Sequence, residues 1–141
     1  SETPQMIVFE SANCIKCQQL RTMLKAPVLQ AYTKRINVMY MSHENASSQV
    51  TRPDGKKQSG EEWLNKLGLI NIQSLVFFNE KGKEILRIDT DILISEYGKA
   101  VSVNDENILD NIRARLQFVL EKGYITLPQF QRWRAQKARE K

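Results

Sequence analysis

Met6-Ile7-Val8-Phe9-Glu10-Ser11-Ala12-Asn13-Cys14-Ile15-Lys16-Cys17 is the stretch on which the fold turns. Met6–Glu10 is a short apolar run without helical spacing, which predicts a buried strand. Asn13 can cap a helix. From Cys14 onward, apolar positions recur at Cys17, Leu20, Met23-Leu24, Val28 and Ala31-Tyr32, which is helical spacing. Pro27 has no backbone N–H to give, so a kink or break is expected between Lys25 and Val28. A second strand is predicted over Ile36–Met41, rich in β-branched and aromatic residues. Strand, helix, strand in that order implies a parallel pair.

Both cysteines of the chain lie in this stretch, where strand becomes helix. Three residues apart in a first helical turn, their sulfurs can meet in a disulfide with little backbone movement. The helix N-terminus offers unpaired N–H groups and a partial positive charge, both of which stabilise a thiolate. Cys14, at the very end, gains most and is the expected attacking thiolate. Cys17, one turn in, is the expected resolving thiol. Asn13, Ile15 and Lys16 flank and separate the pair and would modulate it, Lys16 by adding a cation. Two other readings stay open at this point: a pair of incidental core cysteines, and half of a soft-metal site, copper or iron–sulfur.

The rest of the chain extends this layout. Residues 43–60 are polar, and Arg52-Pro53-Asp54-Gly55-Lys56 has tight-turn chemistry, so Gln49–Arg52 and Lys56–Gln58 are expected to pair as a small hairpin that could rim the active site. Ser59 is expected to cap a helix over Glu61–Leu67, stopped by Gly68. Ser74–Asn79 and Glu84–Asp89, joined across Gly82, predict an antiparallel hairpin. Residues 91–103 have no clear pattern. Asn104 or Asp105 caps a helix running to Lys122, with Ile108, Ile112, Leu116, Val119 and Leu120 on one face and Gly123 as its stop. Thr126-Leu127-Pro128 is expected to open a last helix anchored by Phe130 and Trp133. The sum is an α/β fold: a mixed four-stranded sheet flanked by helices on both faces, with a hairpin insertion and an extra C-terminal helix.

The length of 141 residues suits a single domain. Its core is expected over about 6–122, its insertion over 44–60 and a basic helix over 126–141. The longest apolar runs, such as Ser74–Phe78, are far too short to span a membrane. Two cysteines are too few for a disulfide framework or an unaided four-cysteine zinc site. Of the net charge of +5, residues 131–141 carry +4 through Arg132, Arg134, Lys137, Arg139 and Lys141 against Glu140. The near-neutral remainder argues against a nucleic-acid-binding core. The basic run is expected to be a solvated helix face, with attraction to acidic partners or peripheral contact with anionic membrane surfaces as its functional alternative. Ser1–Gln5 lack a hydrophobic segment and an initiator Met, as expected of a processed chain. His43 reads as a surface histidine, and Trp63 and Trp133 as packing residues.

Over Met6–Asp89 the chain resembles the thioredoxin superfamily. It looks most like the secreted, thioredoxin-related (SoxW-type) proteins of bacterial sulfur oxidation. The resemblance rests on the apolar strand before Cys14-Ile15-Lys16-Cys17 and on Ala26-Pro27-Val28 followed by Ala31-Tyr32. It rests further on Leu67-Gly68-Leu69 leading into Leu75-Val76-Phe77-Phe78-Asn79-Glu80-Lys81-Gly82-Lys83-Glu84. The segment Leu116–Tyr124, closing in Phe130-Gln131-Arg132-Trp133, extends it to nearly the whole chain.

The resemblance implies a thioredoxin-like fold and a thiol–disulfide oxidoreductase without a bound cofactor. It implies a protein disulfide as substrate, a membrane thiol carrier as electron donor and an exported, periplasmic setting. It also places the substrate-binding edge at Ile72, Gln73 and Ser74, facing the cysteines. Three departures from the family pattern stand out. Gln73 occupies the place of the family's cis-proline, Asn13 that of an aromatic residue, and Val8 that of a buried acid, leaving Glu10 as the nearest carboxylate. Gln73 keeps a second reading in play: a redox-poor binding module that uses the cysteines for metal or its surface for protein contacts.

Overall fold

The computed structural model describes residues 3–10, 14–42, 49–68, 74–89, 95–96, 99–100 and 104–140. The elements run β1 Gln5–Glu10, α1 Ile15–Leu24, α2 Pro27–Thr33, β2 Asn37–Ser42, β3 Gln49–Thr51, β4 Lys57–Ser59, α3 Gly60–Leu67, β5 Ser74–Phe78 and β6 Glu84–Asp89. They continue with β7 Ser95–Glu96, β8 Lys99–Ala100, α4 Glu106–Leu120, α5 Gly123–Thr126 and α6 Phe130–Arg139.

Four strands form one sheet in the order β2-β1-β5-β6. β1 runs parallel to β2, with Val8 opposite Tyr40. It runs antiparallel to β5, with Phe9 opposite Ser74. β5 and β6 form the expected antiparallel hairpin, offset between Phe77 and Phe78. Side chains alternate across the sheet and divide the core in two. Met6, Val8, Leu75 and Phe77 pack with α1, α2, α4 and the C-terminal helices. Ile7, Phe9, Val76 and Phe78 pack with Trp63 and Leu64 of α3. Every one of these strand residues is at most 3% exposed, so β1 and β5 are covered on both faces, as their unbroken apolar runs require.

Proline acts where expected: α1 ends at Leu24, and α2 begins at Pro27, the first helical position. Ser59 caps α3 through the Glu62 N–H, and Gly68 closes it in the left-handed conformation. Asp105, rather than Asn104, caps α4 by accepting the Ile108 N–H at 3.0 Å.

Two expectations near the C-terminus are corrected. Gly123 does not stop α4. Lys122 takes the left-handed turn at φ 56°, and Gly123 opens the one-turn helix α5. The glycine is needed there for space, because a Cβ on it would lie 2.3 Å from Trp133 Nε1. Pro128 likewise stands ahead of the last helix, which starts at Phe130 behind Gln129. Phe118 of α4 is the hub of this region, edge-on to Tyr124, Phe130 and Trp133 at 6.0, 5.4 and 5.3 Å.

The basic helix is not wholly a solvated face. Arg134 reaches Asp110 and Asn111 of α4, and Lys137 reaches Glu121. Burial alone would raise the Asp110 carboxyl, but hydrogen bonds and charge from Arg113 and Arg134 outweigh it and hold that carboxyl low. Glu121 is lowered in the same way by Lys137 and Gln117.

The inserted hairpin β3–β4 forms, but it does not rim the cysteines. β1 ends at the cysteine pole, where Phe9 faces Ser74, so the β5–β6 turn after Phe78 lies at the opposite pole. A Cβ on Gly82 in that turn would meet the Asp54 backbone nitrogen at 2.6 Å. The hairpin tip therefore reaches the far end of the molecule, held locally by Arg52 to Asp54 and Gln58.

Candidate active site

β1 leads the chain to the cysteines, and α1 carries it away. The N-cap is Cys14 itself, with extended backbone (φ −93°, ψ 100°), so the capping role assigned to Asn13 falls to the cysteine. Cys14 Sγ accepts the Cys17 N–H at 3.1 Å, and the Cys14 carbonyl accepts the Gln18 N–H at 3.1 Å. A sulfur replaces the usual oxygen of a cap and receives one of the orphan N–H groups of the first turn. No acidic residue occupies that turn, so the helix end keeps its partial positive charge at the sulfur.

A disulfide joins Cys14 to Cys17, with the Cα atoms 5.2 Å apart. Cys17 is 2% exposed, whereas Cys14 is partly open to solvent. That asymmetry gives an outside thiol that a partner can reach and an inside thiol that it cannot. Ile15 between them is 70% exposed, an apolar side chain held out beside the reactive bond. Lys16 is half-buried.

Ser74 opens β5 opposite Phe9 and is fully buried, and among the described residues its hydroxyl has no hydrogen-bond partner. Ile72, Gln73, Asn13 and His43 lie outside the described residues. Val8 is fully buried among apolar side chains, as its apolar type requires.

A group of residues beside the dithiol was only partly legible. Glu10 forms an ion pair with Arg21, whose guanidinium lies 3.9 Å from the centre of the Tyr40 ring. Arg21 is one helical turn beyond Cys17, on the same side of α1. Burial raises the Tyr40 hydroxyl first, Arg21 opposes that rise and Glu10 adds to it. Two signals mark the group in the sequence: the Cys17-to-Arg21 spacing of four, and the strand alternation that places Val8 and Glu10 on one face. Tyr40 joins them only through the parallel register with β2, which composition does not show. Among the described residues, no third His, Cys, Asp or Glu joins the two cysteines in a metal-ligating group.

A family model for the thioredoxin-like domain matches residues 1–97. The chain belongs to the thioredoxin-like domain family. Solved structures support the fold of this thioredoxin-like domain. A thioredoxin from Thermus thermophilus is 19% identical, with 86% of this chain and 76% of that one covered at a TM-score of 0.55. A disulphide isomerase from Xylella fastidiosa Temecula1 is 20% identical, with 82% and 79% covered at 0.54. A thioredoxin-fold protein from Helicobacter pylori is 15% identical, with 85% and 86% covered at 0.52. None of the curated proteins matches the chain. No described helix is long and apolar enough to cross a membrane.

Proposed function

We propose that this thioredoxin-like protein is a thiol–disulfide oxidoreductase that reduces or exchanges disulfides of a partner protein. The observation that carries the reading is the unequal pair: Cys14 at the helix cap, receiving a backbone N–H and partly open to solvent, and Cys17 buried behind it. In the reduced protein, the Cys14 thiolate attacks one sulfur of the partner's disulfide. A mixed disulfide forms, and the other partner sulfur leaves as a thiolate that takes up a proton. Cys17 then loses its proton and attacks Cys14 Sγ. The Cys14–Cys17 disulfide forms, the partner leaves as a dithiol, and two electrons have passed to it.

A membrane thiol carrier would return those electrons, in an exported, periplasmic setting like that of the SoxW-type proteins of sulfur oxidation. The substrate strand would lie along Ile72, Gln73 and Ser74. The buried Ser74 hydroxyl, without a hydrogen-bond partner among the described residues, is the described polar group at that edge. The exposed basic residues Arg132 and Arg139 leave peripheral membrane contact as a further proposed role of the C-terminal helix.

The test is reduction of a protein disulfide by the reduced chain, together with its reduction potential. Cys14 is expected to alkylate faster than Cys17 near neutral pH. Cys14→Ser is expected to abolish turnover, and Cys17→Ser to accumulate a mixed disulfide. Equal, slow alkylation without turnover would overturn the proposal.

Gln73 in the cis-proline position favours a second reading, a redox-poor module that binds copper or an iron–sulfur cluster through the cysteines. Reduced, reconstituted protein would then keep stoichiometric metal and lose it in Cys17→Ser. Under the first reading Gln73→Pro speeds exchange with protein substrates.

A further inference from the structure

The two edges of the sheet are built differently. β6 carries Glu84 and Arg87, which pair with each other, and its ladder to β5 is offset at Phe77 and Phe78. Charge and irregularity of this kind defend an edge against added strands. β2, at the other edge, reads Asn37-Val38-Met39-Tyr40-Met41-Ser42, with no charge, no proline and no offset in its register with β1. Among the described residues nothing pairs with its outer side.

The backbone groups on that side can be identified. The Asn37 N–H is given to the Pro4 carbonyl at 3.0 Å. In a parallel ladder alternate residues bond the same neighbour, so Asn37, Met39 and Met41 face β1. The N–H and C=O groups of Val38 and Tyr40 therefore point outward. The side chains of the same two residues line a groove of about 360 Å³, floored by Met6 and Leu24 and rimmed by Lys25 and Lys34. A strand laid along β2 would put every second side chain over that groove.

The charge of the groove selects its occupant. Lys25 and Lys34 are exposed, and among the described residues no carboxylate lines the groove. The nearby Glu10 is committed to Arg21. A second copy of the chain, edge to edge, would bring the same lysines together. An extended segment that alternates apolar and acidic side chains would seat the apolar ones on Met6, Leu24 and Val38 and meet the lysines with the acidic ones. We infer that β2 and this groove form a docking edge for an extended acidic–apolar segment of a partner protein, added as a further strand of the sheet. The edge does not include the cysteines, although Tyr40 belongs both to it and to the Glu10–Arg21 group beside them, and its occupant needs no thiol.

The test titrates the full reduced chain with a strand-length synthetic peptide alternating valine and glutamate, followed by amide NMR and fluorescence anisotropy. A valine–lysine peptide is the control, and neither contains cysteine. Saturable shifts are expected at Val38 and Tyr40, with weak or no binding of the lysine peptide. Lys25→Glu/Lys34→Glu is expected to weaken the glutamate peptide about tenfold or more, with disulfide exchange unchanged. Val38→Pro, which removes an outward N–H at an edge position, is expected to abolish binding. The lysine variant alone carries the test if Val38→Pro fails to fold. Equal binding of both peptides, no binding, or shifts clustered away from β2 would overturn the inference. So would a concentration-dependent dimer of the chain alone reported by the same β2 amides, which would give the edge to a second copy.

Discussion

Glu10 and Arg21 are paired across the junction that holds the dithiol, one from the strand before Cys14 and the other from the helix turn after Cys17. The pair is partly shielded: the Glu10 side chain is 16% exposed and the Arg21 side chain 40%. Tyr40 closes over the guanidinium from β2. The neutral pair presents no net charge to the buried sulfur, so removing either member should be felt there.

The two removals have opposite signs. Glu10→Gln leaves a cation one turn from Cys17 and favours its thiolate; Arg21→Gln leaves an anion and disfavours it. The midpoint of the pH dependence of Cys17 alkylation is expected to fall by about 0.5–1 pH unit in the first variant and to rise by a similar amount in the second. Movement in the same direction in both would mean that packing, not charge, is responsible.

Gly123→Ala puts a methyl group where Trp133 Nε1 stands. The helix α6 must shift, and the Phe118 cluster loosens with it. A loss of about 1–3 kcal/mol is expected in denaturant unfolding, with a changed Trp133 emission. Unchanged stability would mean that the indole has room to turn aside.

Acid should release α6. The Asp110 and Glu121 carboxyls are held low by Arg113, Arg134, Lys137 and Gln117 against the opposing effect of burial. A carboxyl whose folded pKa lies below its unfolded value stabilises the fold above the unfolded pKa, about pH 4, and that contribution disappears as pH falls through the folded pKa. The Asp110 side chain is 50% exposed and that of Glu121 40%, so the contribution is modest and salt weakens it. Unfolding followed between neutrality and acid is expected to show a smaller pH slope in Arg134→Gln than in the wild type. Identical slopes would remove the pair from the account.

Val8 is fully buried, with apolar neighbours. Val8→Asp places a carboxyl in the family's buried-acid position without a partner, and desolvation raises its pKa. Its neutral form survives burial better, so the variant is expected to lose stability as pH rises above the unfolded carboxyl value of about 3.9. A melting temperature that does not fall between acid and neutral pH would show that the introduced carboxyl finds a partner.

The mixed four-stranded sheet with helices on both faces was legible because β1 and β5 are unbroken apolar runs and α3 carries both of its caps, Ser59 and Gly68. The dithiol was legible because both cysteines fall where the apolar run gives way to helical spacing, although the cap was expected at Asn13 and is Cys14. The C-terminal helices were harder, since Gly123 reads as a helix stop until Trp133 is seen packed against it. The hairpin's position was invisible, because the turn residues Pro53-Asp54-Gly55 fix a bend but not its direction. Tyr40 entered the site through strand register, a long-range property that no local pattern encodes.

The contact between Asp54 and Gly82 ties the inserted hairpin to the end of the molecule away from the thiols. Sequence drift in the two regions should therefore answer to different constraints. Changes at the hairpin tip are tested against Gly82, whose φ of 84° and crowded Cβ position admit little else. Changes around Cys14 are tested against reactivity. Changes in the hairpin are therefore expected to leave the reactivity of the cysteines unaltered, and a graft carried there to be inherited by the fold rather than by the chemistry.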